Sequence, residues 1–340
     1  MPSGKDDRMK KAKRMAIVFG LALVLSGCSN SSTFLRSASP ISRDEAHLYE
    51  IVLGMSIVVL LIVYGLLIYN IIHFRSGLHD FAVPDQHYRH SLIESIYTGI
   101  PLVAVTVLFI LTVYTMDAVA APPPQKSDLN VQVVAHQWWW EFDYPDLGIV
   151  TANEMHIPIN TNVHISLVSA DVVHSFWVPA LAGKTDVIPG VTNHMWMKGD
   201  KIGEYWGQCA EYCGLDHANM RLRVFVDTKD TFDAWVNDQQ QPPAQPQTDL
   251  QEQGYDLIVN GICSGCHTLG DHQAALPIGP NLTHLFSRTT FAGSTFDLNE
   301  TNLQHWLQDT QAMKPGNNMK HVELTPDQIN ALVAYLTMLK

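Results

Sequence analysis

Two stretches of the chain, 51–72 and 95–116, run for 22 residues each without a charged side chain. As helices each would be about 33 Å long, enough to cross the hydrocarbon core of a bilayer. Gly99 and Pro101 fall inside the second stretch; a neighbouring helix can satisfy the carbonyl that proline frees. A shorter apolar run of eleven residues, 15–25, follows Lys5, Arg8, Lys10, Lys11, Lys13 and Arg14. It is too short to span and reads as an export signal. From residue 129 the pattern becomes alternation. Val131 and Val133 alternate with Asn130 and Gln132, and Val163, Ile165 and Leu167 with His164 and Ser166. Leu222, Val224 and Val226 repeat the two-residue period. Such runs, separated by turns like Ile188-Pro189-Gly190, predict a β-sandwich or barrel over 129–228. Residues 237–248, rich in glutamine and proline, cannot build a core and predict a flexible linker. The remainder, 249–340, predicts short helices, the first over 250–262. Thr325-Pro326-Asp327-Gln328 is a capping box with proline at its first helical position. The helix it opens runs to 339, with Ile329, Leu332 and Leu336 on one face.

Composition sharpens this picture. Charged residues make up only 16% and apolar residues 46% of 340, as expected for a chain with membrane segments. The formal charge is −12; the first 14 residues carry +4, so the rest carries −16. A chain this acidic cannot neutralise phosphates, which excludes a nucleic-acid partner. With the mature N-terminus outside, the loop 73–94 is cytoplasmic and residue 117 onward returns outside. Arg75 and Arg89 support that orientation weakly, because Asp80 and Asp85 offset them. Ala121-Pro122-Pro123-Pro124 makes a stiff spacer just outside the membrane. Glu94 stands at the inner mouth of the second span, where an ionisable group needs a partner or water. By physics alone it is either a solvated interfacial acid or a proton-handling group.

Five cysteines are too few for a disulfide scaffold. Leu25-Ser26-Gly27-Cys28 resembles the bacterial lipobox, whose cysteine is acylated; the alternative is an ordinary signal with a chance cysteine. Cys209, Cys213, His217 and Met220 fall within twelve residues, and His174 ends an earlier strand-like run. A mononuclear blue-copper site uses two histidines, one thiolate and a weak axial methionine. This set adds a second thiolate, and two thiolates can bridge two coppers. Zinc fits the ligand types but has no use for Met220; a Cys209–Cys213 disulfide and a core role for Met220 are the structural alternatives. Cys263-Ser264-Gly265-Cys266-His267 is the pattern for covalent haem c, with His267 placed as an iron ligand. A redox dithiol beside a histidine is the other reading. A distal methionine would raise the haem potential, and Met313 and Met319 are both candidates.

Several segments together resemble the CuA domain of subunit II of haem-copper cytochrome c oxidases. They are Gln137-Trp138-Trp139-Trp140, Val173-His174-Ser175-Phe176-Trp177-Val178-Pro179, Lys184 through Gly190, and Gly207 through Gly214. The preceding two-span hairpin matches as well. The resemblance implies a cupredoxin-like fold with His174, Cys209, Cys213, His217 and Met220 as side-chain copper ligands. Glu211 would give a backbone carbonyl to copper and turn its carboxylate toward magnesium or manganese at the subunit I interface. Trp138 matches the family's electron-admitting tryptophan, Trp139 and Trp140 read as core aromatics, and Glu94 matches the glutamate at the mouth of a proton channel. Residues 249–340 resemble a class I cytochrome c, with Cys263 and Cys266 as thioethers and His267 and Met319 as axial ligands. There the Ile278-Gly279-Pro280-Asn281-Leu282 segment would run along the proximal side of the haem, and the first and last helices would cross. Subunit II fused to cytochrome c is the arrangement of caa-type oxidases.

The expected organisation is therefore multidomain. A lipoprotein-type signal occupies 1–27, a transmembrane hairpin 28–120, an all-β CuA domain 121–236, a linker 237–248 and an all-α cytochrome c domain 249–340. The expected function is electron input. A c-type cytochrome or other donor reduces haem c, the electron passes to CuA and then to subunit I, where oxygen becomes water and protons are pumped. Subunit I, subunit III and membrane lipid are the expected partners, on the outer face of a bacterial plasma membrane. The alternatives are a CuA-bearing subunit of a nitric oxide reductase-like enzyme and a stand-alone lipid-anchored electron carrier. A copper-free quinol oxidase subunit is disfavoured because every copper ligand is present.

Overall fold

The computed structural model describes residues 33–75, 86, 89–120 and 128–340. The export signal, Cys28, most of the 73–94 loop and the proline spacer lie outside the described residues. Two long helices, α1 (Pro40–His73) and α2 (Ser91–Ala120), pack side by side. Their apolar side chains are exposed all round, a distribution that water opposes and lipid accepts. Both exceed the charge-free stretches, and α2 continues through Pro101. Residues 40–50 carry α1 about 16 Å beyond its apolar part. That polar end is stitched to the domain above. Ser39 caps α1 by accepting from the Ser42 amide and donates to the Leu181 carbonyl at 2.6 Å. Ser42 donates to the Ala180 carbonyl at 2.7 Å, and Arg43 pairs with Asp200.

The next domain is two five-stranded sheets face to face. One sheet has the order β3-β2-β1-β5-β8, from Leu129–His136 (β1), Trp139–Tyr144 (β2), Ile149–Ala152 (β3), Val163–Ser169 (β5) and Asn193–Met197 (β8). The other has the order β4-β10-β9-β6-β7, from Glu154–Pro158 (β4), His174–Trp177 (β6), Thr185–Val187 (β7), Gly203–Cys209 (β9) and Arg221–Asp227 (β10). The expected alternation holds in β1 and β5, whose odd-numbered residues are buried. Trp140, Phe142, Ile165, Leu167 and Phe176 fill the space between the sheets. Trp139 is buried as expected, at 8% exposure, but not between the sheets. Its ring stacks on His136 with centroids 4.3 Å apart, and its indole N–H donates to the Ile278 carbonyl of the C-terminal domain at 3.2 Å.

In the C-terminal domain the first helix runs over Asp249–Val259, shorter than expected, and the last over Pro326–Leu336. The Thr325/Gln328 capping box forms in full, and Ile329, Leu332 and Leu336 are buried with Tyr335. The two helices cross at Gly254, where a Cβ would stand 2.1 Å from the Ala331 carbonyl oxygen. Only glycine permits that approach. Between them lie Glu300–Gln308, the one-turn helix Thr310–Met313 and a two-stranded ribbon, Thr290–Phe291 with Phe296–Asp297.

The segment read as a flexible linker is ordered. A helix over Lys229–Gln239 takes its first three residues, and Gln239 donates to Ser287 Oγ at 3.0 Å. His284 Nε2 lies 3.1 Å from the Gln241 carbonyl oxygen, and the Tyr335 hydroxyl donates to the Ala244 carbonyl at 3.0 Å. A polar, proline-rich segment cannot bury a core of its own, but its free carbonyls accept from a neighbouring surface. The two domains also touch directly. Glu154, 2% exposed, accepts hydrogen bonds from the amide and hydroxyl of both Thr289 and Thr290.

Gly254→Ala should destabilise the C-terminal domain by about 1–3 kcal/mol, because the crossing helices must move apart. Chemical denaturation followed by far-ultraviolet circular dichroism would measure it; an unchanged midpoint would show that the crossing yields without cost.

Candidate metal centres

Strand register assembles the first centre. Antiparallel β6 and β9 pair Phe176 with Cys209, so His174 and Cys209 arrive from neighbouring strand ends. The chain then loops through Cys213 and a 3-10 turn, His217–Asn219, before entering β10. The β9–β10 pairing brings Met220 back, and the Cys209 amide donates to its carbonyl at 2.9 Å. His174, Cys209 and Cys213 are buried with their ligand atoms within 4.8 Å of one another. The two sulfurs are unbonded, 3.8 Å apart. Cys209 Sγ lies 3.9 Å from His174 Nδ1 and 3.2 Å from the Glu211 carbonyl oxygen. Cys213 Sγ lies 3.5 Å from His217 Nδ1 and 3.8 Å from Met220 Sδ. Each sulfur thus has one imidazole and one weak donor beside it, with the sulfurs shared at the centre. That donor set fits two soft, thiolate-bridged ions.

Electrostatics set the two thiols apart and couple His174 to Asp171. Hydrogen bonding to the Cys213 thiol pulls the Cys209 pKa down against burial, with His174 assisting. The Cys213 thiol is pushed up in turn by its ionised neighbour and by burial. Asp171 Oδ1 lies 2.7 Å from His174 Nε2, which leaves Nδ1 turned toward the sulfurs. Burial works to lower the His174 pKa, but Asp171 and Cys209 outweigh it and raise it. Burial works to raise Asp171, and hydrogen bonds from His174, Val172 and Gln137 overcome it and keep the carboxylate ionised. Asp171 is a residue the sequence reading did not single out; its three-residue spacing to His174 on a strand entrance was the available signal. Carboxylates behind ligating histidines fix the ring's orientation and tautomer.

The Trp138 indole donates to the Cys213 carbonyl at 3.1 Å, and Gln137 Nε2 donates to the same oxygen at 2.7 Å. Gly214, at φ +118°, makes room: a Cβ there would stand 3.0 Å from the Trp138 ring. Trp138 is 8% exposed. Glu211, Tyr212 and Leu215 of the same loop are exposed.

In the second centre, Cys263 and Cys266 lie on and just after a 3-10 turn, both free. His267 Nδ1 lies 2.8 Å from the Pro280 carbonyl oxygen, which leaves Nε2 for iron. Burial lowers the His267 pKa against that hydrogen bond, favouring neutral imidazole. Gly279 lies against the ring, where a Cβ would come within 2.6 Å. A narrow cavity is lined by Ile262, Cys263, Leu307, Met319 and Val322. Met319 faces it with Cys263; Met313 is not among its lining residues. The Trp306 indole donates to Met319 Sδ at 3.3 Å, and Asn317 Oδ1 accepts from the Met319 amide at 2.8 Å. Two thiols, a neutral imidazole and a thioether are the donors a covalent haem needs, and Cys263 and Met319 of that set line this cavity.

Glu94 is remote from both centres, in the first turn of α2 at the helix end away from the β domain. Its carboxylate accepts from the His90 amide at 3.1 Å, closing the helix end. The structure thus gives it a capping contact whatever else it does.

Three family models match the chain in order. The cytochrome c oxidase subunit II transmembrane domain matches residues 28–117, its periplasmic domain 147–227, and cytochrome c 251–340. Cytochrome c oxidase subunit 2 of Alkalihalophilus pseudofirmus is 33% identical over 340 residues, covering 97% of this chain and 98% of that protein. The subunit of Bacillus sp. strain PS3 is 37% identical over 283 residues, covering 78% and 79%. That of Bacillus subtilis is 32% identical over 355 aligned positions, covering 98% and 99%. The periplasmic-domain match implies the copper centre and the cytochrome c match implies haem c, which the two donor sets fit. With hairpin, copper domain and haem domain matched in succession and full-length relatives above 30% identity, the chain belongs to the cytochrome c oxidase subunit II family, as the electron-input subunit that associates with subunit I of a terminal oxidase.

Proposed function

We propose that electrons reach this chain at a haem held by Cys263, Cys266, His267 and Met319, and leave it from a copper pair held by six residues. Those six are His174, Cys209, Cys213, His217, Met220 and the Glu211 carbonyl. When bound, haem and copper supply one-electron chemistry without bond making. The chain's own residues set the conditions for it. Pro280 holds His267 with Nε2 free, and Trp306 donates to the Met319 sulfur, which lowers its electron density. Asp171 holds His174, and the burial of Cys209 and Cys213 keeps water from the sulfurs. The observation that carries this reading is the shared position of the two sulfurs, each with its own imidazole and weak donor.

Around this path the same proposal assigns further roles. Trp138, bonded to the Cys213 carbonyl, carries the electron into the copper loop. The Glu211 carboxylate, Tyr212 and Leu215 form the exposed rim that meets subunit I, with Glu211 placed to bind magnesium or manganese there. Subunit III completes the complex. The external donor is a basic c-type cytochrome, steered by the acidic exterior: residues 249–340 hold 9 acids against 4 bases. Both helices cross the membrane, the copper and haem domains stand outside, and an acylated Cys28 adds a lipid anchor. Glu94, at the inner end of α2, receives protons bound for subunit I.

The full-length chain, matured with haem and loaded with copper, should bind two coppers per covalent haem and show one unpaired electron shared by two copper nuclei. Met220→Leu should shift the copper absorption and potential while haem c stays attached; one copper per haem, or an unmoved spectrum, would count against this ligand set. Met319→Leu should abolish the methionine-to-ferric-iron charge-transfer band and lower the haem potential, whereas Met313→Leu should leave both in place. The reverse result would exchange the two methionines. Glu94→Ala should slow oxygen turnover with the metal content of the chain intact. Normal turnover would remove the proton role and leave only the helix cap.

A further inference from the structure

The haem domain and the copper domain meet on one short loop. Gln137, Trp138 and Trp139 each touch a lip of the haem crevice. The Gln137 carbonyl accepts from Asn318 Nδ2 at 2.9 Å, the Trp138 carbonyl lies 3.5 Å from Lys314 Nζ, and the Trp139 indole donates to the Ile278 carbonyl at 3.2 Å. One lip carries the axial Met319, and the other holds the axial His267 by a hydrogen bond. Ile278 is two residues before Pro280, which holds His267, and Asn318 immediately precedes Met319. On its other side the loop is bonded to copper-ligating Cys213 through Gln137 Nε2 and the Trp138 indole. Asn318 and Cys213 are therefore separated by one residue, Gln137, and two hydrogen bonds.

Lys314 closes this arrangement. Its ammonium lies 2.9 Å from Asp216 Oδ2, an ionic contact off the line of a good hydrogen bond, and donates to the Ala292 carbonyl at 2.8 Å. The two side chains are only 4% and 1% exposed. A dehydrated ammonium is tolerated only where an anion and acceptors meet it, so this pair selects one docking pose over its neighbours. Gly293, at φ +73°, lets the ribbon turn close over the pair: a Cβ there would stand 2.9 Å from both Lys314 Nζ and the Trp138 carbonyl oxygen.

We propose that Lys314 is a positioning residue that clasps the haem crevice over the Gln137–Trp139 loop. The fused haem then feeds copper within one fixed complex, and Trp138 is closed to any free donor. The transfer is one electron, oxidising ferrous haem and reducing the copper pair, with no bond or proton exchanged. The proposal rests on the haem and copper reading above, since without both groups there is nothing to position.

The test uses the assembled oxidase, with haem c reduced by a flash-excited ruthenium dye and electron arrival followed at the copper absorption. In the natural chain the internal transfer should be independent of viscosity and salt. Lys314→Met should slow it by about tenfold or more, because small displacements of reacting groups are costly, and should make it viscosity-dependent. Copper content, covalent haem and the methionine–iron band should stay unchanged. Lys314→Arg, which keeps a charge beside Asp216, should recover most of the rate and its independence of viscosity. If Lys314→Met fails to assemble, Asn318→Ala, altering an exposed side chain, should slow the transfer in the same way. A viscosity-dependent rate in the natural chain overturns the proposal. So does an undiminished rate in Lys314→Met, or in Asn318→Ala where that variant takes its place. Absence of copper or covalent haem in the natural chain would instead overturn the underlying reading, which separates the two failures.

Discussion

Three neighbouring strands, β6, β9 and β10, carry the constraint on which the copper centre depends. Their antiparallel registers bring His174, Cys209 and Met220 to one end of one sheet. A slip of a single residue would turn every side chain in the slipped strand to the opposite face. The register is protected by burial: Phe176 on β6 and Leu222, Val224 and Val226 on β10 are all buried in the inter-sheet core. The ligand loop can then be irregular, with Gly214 at positive φ and an exposed rim, because its two ends are held by the sheet. A rigid frame of this kind suits a centre that changes charge without being asked to change shape.

The second theme is buried polarity between domains. Glu154 receives four donors from Thr289 and Thr290, and Lys314 meets Asp216 out of water. Apolar contacts alone would permit sliding between the domains. Directional bonds from buried groups do not, because every displaced pose leaves a donor or an ion unmatched. These contacts surround the haem-crevice lips and the copper loop, so the same interactions that fix the domains fix the path between their centres. The membrane end is tied in the same manner, with Ser39, Ser42 and Arg43 of α1 bonded to the β domain near residues 180 and 200. From the polar end of α1 to the haem crevice, the described chain is one continuous set of directional contacts.

Much of this was legible in the chain itself. The charge-free stretches required helices in lipid, since no other element satisfies its backbone there. The two-residue alternation of β1 and β5 required half-buried strands. The capping box at Thr325 marked the start of the last helix, because a side chain must meet the free amides there, while its end came at Leu336 rather than 339. Donor chemistry was equally local. Thiolates, imidazoles and thioethers at close spacing name soft metals, and Cys263 through His267 names a covalent haem.

What composition misjudged was whatever depends on a partner distant in sequence. Residues 237–248 hold no large apolar side chain, and nothing in them discloses that His284 and Tyr335 bond to their backbone. Trp139 is buried as its type suggests, yet only the fold shows that its indole reaches Ile278, 139 residues away. Asp171, Lys314, Asp216 and Glu154 are ordinary surface residue types by identity, and only the folded chain buries or aims them. The sequence by itself determined the elements, the donor types and the order of the domains, since these follow from local periodicity and the chemistry of single side chains. The tertiary structure alone decided which polar groups meet and where the haem crevice rests on the copper domain. Long-range hydrogen bonds and ion pairs form only where the whole fold brings their two ends together.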